Sequence, residues 1–568
     1  MKLSKYNPLL SSGTILTILL IWTIAGCVAP NVWLSIADHM PVMASITNIV
    51  LPLGIYTLLA SLTPKTGKAT LWMTILFVFA AFQMVLLYMY GRSVIAVDMF
   101  LNVVTTNPGE VGELLGNMAS IMLVVSVVYL PPIITAIVAC RRHWRLDSQV
   151  LRRGRRIGIL TTAAGTVCLG LSFLSERNYR PHCDLYPVNI AYNLATAVKR
   201  TSQVAAYHET SRDFTYEARS LRPDTLPETY VIVVGETSRA DNWQIAGYDR
   251  PTSPHIMDMD GLVSFPRAIS QSNTTHKSVP MLLSPLEASN FADSLNRVKS
   301  LITAFKEAGY HTTFVSNQSR NRSYIDFFGE EADRFLFLKD DAGFVNHYDH
   351  ELLDHLDKAL ADTARKRLIV LHTYGSHFNY IDRFRPEEAF FKPDRPASAT
   401  HHDRDRQINA YDNTILYTSN FLADIIDRLR RTGTQAAMIY TSDHGEDIFD
   451  DDRHLFLHAS PIPSYYQIHV PFIVWLSESY RDNNPGSFTA LKSNADKYVA
   501  SSRSYFHTVI DMAGISTPFF RSQSSLLNRN FVSGPALYLN DHNESLPLRE
   551  CGILDYDFRK LDELGIPY

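Results

Sequence analysis

Tyr230-Val-Ile-Val-Val-Gly-Glu236-Thr-Ser-Arg239 is the stretch on which the fold turns. The run Tyr230–Val234 is apolar at every position rather than at every second one. That pattern predicts a strand buried on both faces, as in a parallel sheet covered by helices. Working outward, further strands are expected at 311–316, 368–372, 436–442 and 472–476, and helices at 294–309, 349–366, 408–431 and 501–513. The alternation predicts an α/β domain with a mostly parallel central sheet over residues 226–568.

Polar residues recur just past these strands, where ligands gather in such folds. Glu236 follows the first, Asn317-Gln318 the second, Gly375-Ser376-His377 the third and Ser442-Asp443-His444-Gly445-Glu446 the fourth. Glu236, His377, Asp443, His444 and His458 are therefore expected to converge on one edge. Carboxylate oxygens with imidazole nitrogens suit zinc or manganese. A lone glutamate after a strand is usually a helix N-terminal charge, and a lone histidine an ordinary residue, but three strand-end motifs in one chain favour a metal site. His401-His402, within the charged run ending at Arg406, reads as a solvated loop.

Upstream the composition changes. The 568 residues exceed one ordinary domain, and the mean hydropathy of -0.06 averages an apolar first third with a polar remainder. The net charge of -4, from 53 basic and 57 acidic residues, leaves no footprint for nucleic acid. Apolar stretches at about 10–29, 42–63, 70–90, 118–140 and 157–175 predict an α-helical membrane domain of five transmembrane helices over residues 1–176. The first reads as a retained anchor. Lys65, Lys68 and the arginine-rich loop 141–156 place the intervening loops in the cytoplasm with the N-terminus, so five spans deliver the remainder to the opposite face. Residues 177–225 read as a linker, in which 188–205 fits either an interfacial bridging helix or an ordinary linker helix. In the outer loop 91–117, Asn102, Thr106 and Glu110 fall four apart, so a helix would align them, although Pro108 and Gly109 weaken it. From spacing alone this is a solvated face.

The motifs resemble those of the phosphoethanolamine transferases, inner-membrane enzymes of the alkaline phosphatase/sulfatase-like superfamily. The resemblance runs through Val231–Trp243, Gly247-Tyr-Asp-Arg-Pro-Thr-Ser-Pro254, Thr274-Thr-His-Lys-Ser-Val-Pro280, Leu371–His377, Thr441–Glu446 and Phe456-Leu-His458. It implies a nucleophile at Thr275, zinc (one ion, or two) held by Glu236, Thr275, Asp443 and His444, and phosphoryl binding or proton transfer by His377 and His458. Asn102, Thr106 and Glu110 match phosphoethanolamine-binding positions. The implied reaction moves phosphoethanolamine from phosphatidylethanolamine, through a phosphoethanolamine-threonine intermediate, to lipid A or a lipopolysaccharide acceptor, with polymyxin resistance as a consequence. The implied location is the bacterial inner membrane, with the catalytic domain in the periplasm. The rival is a lipoteichoic-acid-synthase-like glycerophosphate transferase. The sequence departs from the family's usual cysteines, with Gln271 to Thr274 before the nucleophile and Met281 after Ser-Val-Pro. Only Cys183 and Cys551 lie outside the membrane half, and their pairing stays open.

Overall fold

The computed structural model describes residues 11–38, 40–90, 93–105, 119–176, 179–340, 347–398 and 400–568. The chain divides into two compact units, Met1–Phe100 with Leu114–Val198, and Leu101–Glu113 with Lys199–Tyr568.

The first unit contains α1 (Ser12–Ala37), α2 (Val42–Ala60), α3 (Thr66–Trp72), α4 (Thr74–Tyr90), the first four residues of α5 (Val97–Thr105), α6 (Ala119–Arg141) and α7 (Ser148–Ser175). Four of them (α1, α2, α6 and α7) are long and apolar enough to cross a bilayer, and α3 with α4, bent by 51°, makes a fifth span if counted as one. The chain is a multi-pass membrane protein. The expected arginine-rich loop is partly helix: Asp147 accepts from the Gln149 amide at 3.0 Å and starts α7, so Arg152 to Arg156 ride on its early turns. Helices α2 and α7 pack closely because glycines face them. A Cβ on Gly54 would lie 2.4 Å from the Thr162 nitrogen, and one on Gly165 2.6 Å from the Leu51 Cα. Some polar groups pair across the helices: Asn31 donates to the Asn48 carbonyl at 2.7 Å, and the Thr47 and Ser172 hydroxyls meet at 2.9 Å. Asn102 falls in α5, but its side chain, together with Thr106 and Glu110, lies outside the described residues. The segment 188–205 forms α8 (Val188–Ala205).

The second unit is built on a seven-stranded sheet of β1 (Glu228–Gly235), β2 (Leu262–Ser264), β3 (His311–Ser316), β4 (Arg334–Phe337), β5 (Lys366–His372), β6 (Gln435–Ser442) and β7 (Phe472–Leu476). Their order is β2-β7-β6-β1-β5-β3-β4, and β7 runs antiparallel to the other six. Every residue of β1 is buried. The edge strands β2 and β4 escape the sequence pattern because they are short and β4 turns three of its four residues outward. Helices α9 (Thr275–Leu282), α10 (Leu301–Glu307), α11 (Leu352–Leu360), α12 (Arg404–Thr432) and α13 (Ser501–Met512) flank the sheet. The helix expected over 294–309 shortens to α10, because the Ser300 hydroxyl accepts from the Ile302 amide at 3.2 Å and restarts the chain there. The one expected over 349–366 ends early, because Lys366 pairs with Glu228 at the start of β5. Ile232, Val234, Phe314, Val370, Ile439 and Val474 meet Val279, Phe305 and Phe506 in one core. The register sets Val234 beside His372 and Gly235 beside Ser442, so the residues after β1, β5 and β6 leave the sheet at one level.

Candidate active site

Glu236 leaves β1 and Asp443-His444 leave β6, and the start of α9 brings Thr275 between them. The Thr275 hydroxyl lies 3.2 and 3.3 Å from the two Glu236 oxygens and 3.2 Å from His444 Nε2. That nitrogen is 3.3 Å from Asp443 Oδ2 and 3.6 Å from Glu236 Oε1. Thr274, the residue before the helix, instead meets the Ser272 hydroxyl at 3.3 Å. Geometry therefore separates the two adjacent threonines, of which the family resemblance implied Thr275 as the nucleophile. Gly375 permits the crowding: at φ +52°, a Cβ there would sit 2.4 Å from the Glu236 carbonyl.

The cluster's chemistry fits a cation. Glu236, Asp443 and His444 each offer an atom within 4.8 Å of the others. Asp443 Oδ1 accepts from the Thr237 and His444 amides at 3.0 and 2.7 Å, while its buried Oδ2 has no hydrogen-bond partner among the described residues. His444 Nδ1 lies 2.9 Å from the Gly445 carbonyl, to which it donates, leaving Nε2 toward the carboxylates. Burial alone would lower the His444 pKa, but Asp443 and Glu236 raise it overall. Two buried carboxylates thus call for positive charge at this point, whether a proton on Nε2 or a metal ion. Two or three oxygens and one imidazole nitrogen form an ordinary zinc donor set.

His377 and His458 stand beside it, and Glu236, His377 and His458 form a second group of potential ligands within 4.8 Å. The ring centroids of His458 lie 4.3 Å from His444 and 5.6 Å from His377. Burial pushes His377 down to about 3, and burial with neighbouring His444 does the same to His458. His377 Nδ1 donates to the Phe378 carbonyl at 2.7 Å. Its neutral Nε2 is thus left to accept a proton or bind a cation.

Of the weaker sequence candidates, Gln318 belongs here: its amide donates to Glu236 Oε2 at 3.1 Å and to the Thr373 carbonyl at 3.0 Å. Asn317 turns away to Asp349 at 2.8 Å, and that carboxylate in turn accepts from the Tyr374 and Gly375 amides at 2.8 and 2.9 Å. His372 and Glu446 were not singled out. His372 Nε2 meets the Gln318 amide at 3.2 Å, and burial pushes its pKa down to about 4. Both Glu446 oxygens are buried with no hydrogen-bond partner among the described residues, and burial raises its pKa well above the usual range. Only its place in the Asp-His-Gly-Glu run could have flagged it. His401 and His402 are exposed, with the His401 ring stacked on His454 and tilted against His402, apart from the cluster. A cleft of about 1030 Å³ opens over Thr275, lined among others by Lys277, Arg320, Arg322, Tyr324, Phe327, Tyr374, His377 and His458.

The seven-stranded sheet with an acid- and histidine-rich crest defines the class. Residues 228–515 match the sulfatase family, and the chain belongs to it. It is 29% identical over 321 residues to the Kdo(2)-lipid A phosphoethanolamine 7''-transferase of Escherichia coli K12, covering 54% of this chain and 55% of that one. The chain thus spans about half the length of the curated relatives it matches. Among solved structures it resembles the integral membrane lipooligosaccharide phosphoethanolamine transferase A of Neisseria meningitidis in fold. The TM-score is 0.67 at 21% identity, over 91% of this chain and 99% of that one. It also resembles the C-terminal periplasmic domain of EptC from Escherichia coli in complex with zinc, with a TM-score of 0.55 at 23% identity, over 62% and 98%.

Proposed function

We infer that this protein is a zinc-dependent phosphoethanolamine transferase of the bacterial inner membrane, with its second unit in the periplasm. The observation that carries the reading is Thr275, whose hydroxyl sits within 3.3 Å of Glu236 and His444 beside the unpartnered Asp443 oxygen. The relatives named for phosphoethanolamine transfer and the zinc complex of a related domain support the same chemistry. Glu236, Thr275, Asp443 and His444 would hold the metal, and a bound zinc ion would lower the pKa of a threonine hydroxyl.

The residues then perform a double displacement. Thr275 Oγ1 bonds to the phosphorus of phosphatidylethanolamine while the bond to the diacylglycerol oxygen breaks, and the proton that the threonine gives up leaves on that oxygen. An acceptor phosphate or hydroxyl oxygen on lipid A or lipopolysaccharide next attacks the phosphorus, the bond to Thr275 Oγ1 breaks, and the threonine regains a proton as the acceptor loses one. His377 and His458, neutral at physiological pH, suit taking up the acceptor's proton better than supplying one. Asn102, Thr106 and Glu110 would meet the donor headgroup. Adding an ethanolamine cation to an anionic glycolipid would weaken its attraction for polymyxins.

The test is mass spectrometry of the peptide carrying Thr275, after incubating the full-length protein in detergent with zinc, phosphatidylethanolamine and phosphatidylglycerol. A phosphoethanolamine adduct on Thr275 is expected. A glycerophosphate adduct would hand the case to the lipoteichoic-acid-synthase-like reading. With zinc bound, neither adduct nor lipid turnover would end the transferase reading.

A further inference from the structure

The segment holding Thr275 is gripped from both sides by a hairpin near the C-terminus, beyond the matched residues 228–515. The hairpin pairs Leu537–Leu539 with Ser545–Pro547 in antiparallel register. Four residues before the nucleophile, the Gln271 carbonyl accepts from the Leu539 amide at 2.8 Å. Two residues before it, Asn273 Oδ1 accepts from the Tyr538 hydroxyl at 2.7 Å. Two residues after it, Lys277 Nζ donates to the Asn540 carbonyl at 2.8 Å. Gln271, Asn273, Lys277 and Tyr538 are all at most 3% exposed.

The rest of Asn273 is tied elsewhere. Its amide nitrogen donates to Gln467 Oε1 at 2.6 Å and to the Ser460 carbonyl at 2.8 Å, and its own carbonyl accepts from the Ala459 amide at 3.3 Å. These bonds orient the amide, so Oδ1 can only face Tyr538. Ala459 and Ser460 directly follow His458. One buried asparagine therefore joins the nucleophile's segment, the segment of His458 and the hairpin. The hairpin's tip is itself stiffened, since Asn540 Oδ1 accepts from the His542 and Glu544 amides at 2.9 and 2.8 Å.

We propose that this C-terminal hairpin is a clamp that sets the position of Thr275 relative to Glu236, His444 and His458, with Tyr538 and Asn273 as its positioning residues. The proposal rests on the transferase reading for what Thr275 does, but the clamp itself is a property of the fold. Tyr538→Phe keeps the ring and removes the one donor to Asn273 Oδ1 among the described residues, leaving a buried acceptor unsatisfied.

The experiment uses the full-length protein with zinc. It follows adduct formation on Thr275 in a single turnover, steady-state KM and kcat, zinc content, and amide hydrogen exchange across 271–277. For Tyr538→Phe, the rate of adduct formation and kcat should fall about tenfold at unchanged KM and full zinc content, with faster exchange across 271–277. Asn273→Ala, which also cuts the bonds to Gln467 and Ser460, should lose at least as much, and the double variant should lose little more than Asn273→Ala alone, because the Tyr538–Asn273 bond is then already broken. A Tyr538→Phe protein that melts earlier yet keeps parental kcat and exchange overturns the clamp. A parent protein that forms no adduct overturns the transferase reading instead, and exchange across 271–277 then decides the clamp alone.

Discussion

Thr275 and its neighbours make separable claims at the level of single residues. Thr275→Ala should leave a folded, zinc-binding protein with no adduct and no transfer, read by mass spectrometry and metal analysis. Retained transfer would remove Thr275 from the chemistry. Gln318 touches Glu236 rather than offering a ligand atom to the cluster. Gln318→Ala should therefore weaken zinc binding by about 10- to 100-fold in a chelator competition, without unfolding the protein. Asp447 makes a pH-dependent claim. Burial pushes its carboxyl up to about 7, against hydrogen bonds from Ser464 and Gln467 at 2.6 Å each. The folded form then holds its proton more tightly than the unfolded form. Stability should be greatest below the ordinary carboxylate range and decline as pH rises toward 7. In melting curves, Asp447→Asn should lose less stability than the parent between pH 5 and pH 8, and an equal loss in both would refute it.

Among the elements, β1, β5, β6 and β7 were legible because each carries an unbroken apolar run, which only a covered sheet explains, whereas β3 was legible from its β-branched and aromatic residues. The helices were legible in place but less so in length, because Ser300 and the pairing of Lys366 set their ends. The same limit applies to the third span, where hydropathy reports apolar length and not the 51° bend between α3 and α4. The close packing of α2 on α7 was invisible, since a glycine in an apolar run carries no sign of its neighbour. It yields a paired test. Gly165→Leu should lower the melting temperature in detergent by several degrees, because its first side-chain carbon already meets Leu51. Gly170→Ala, where nothing lies within 4 Å, should leave it unchanged.

Across the whole molecule, metal and fold should be linked. If zinc binds the folded cluster and not the unfolded chain, chelation should lower the melting temperature and added zinc should restore it. The same treatment of Asp443→Asn should change little, because that variant has already lost a charged ligand. A parent whose melting point ignores the chelator would argue against the site. The sequence by itself determined that an apolar, multi-helix first third precedes an α/β domain, and which motifs end its strands. Those features reside in local periodicity and composition. Only the tertiary structure decided that Thr275 rather than Thr274 faces Glu236 and His444, that Gln318 joins them while Asn317 turns to Asp349, and that a hairpin around Tyr538 holds the nucleophile's segment. Strands β1, β5 and β6 are far apart in the chain and become neighbours only through sheet register. Contacts across such separations leave no local pattern for a single sequence to display.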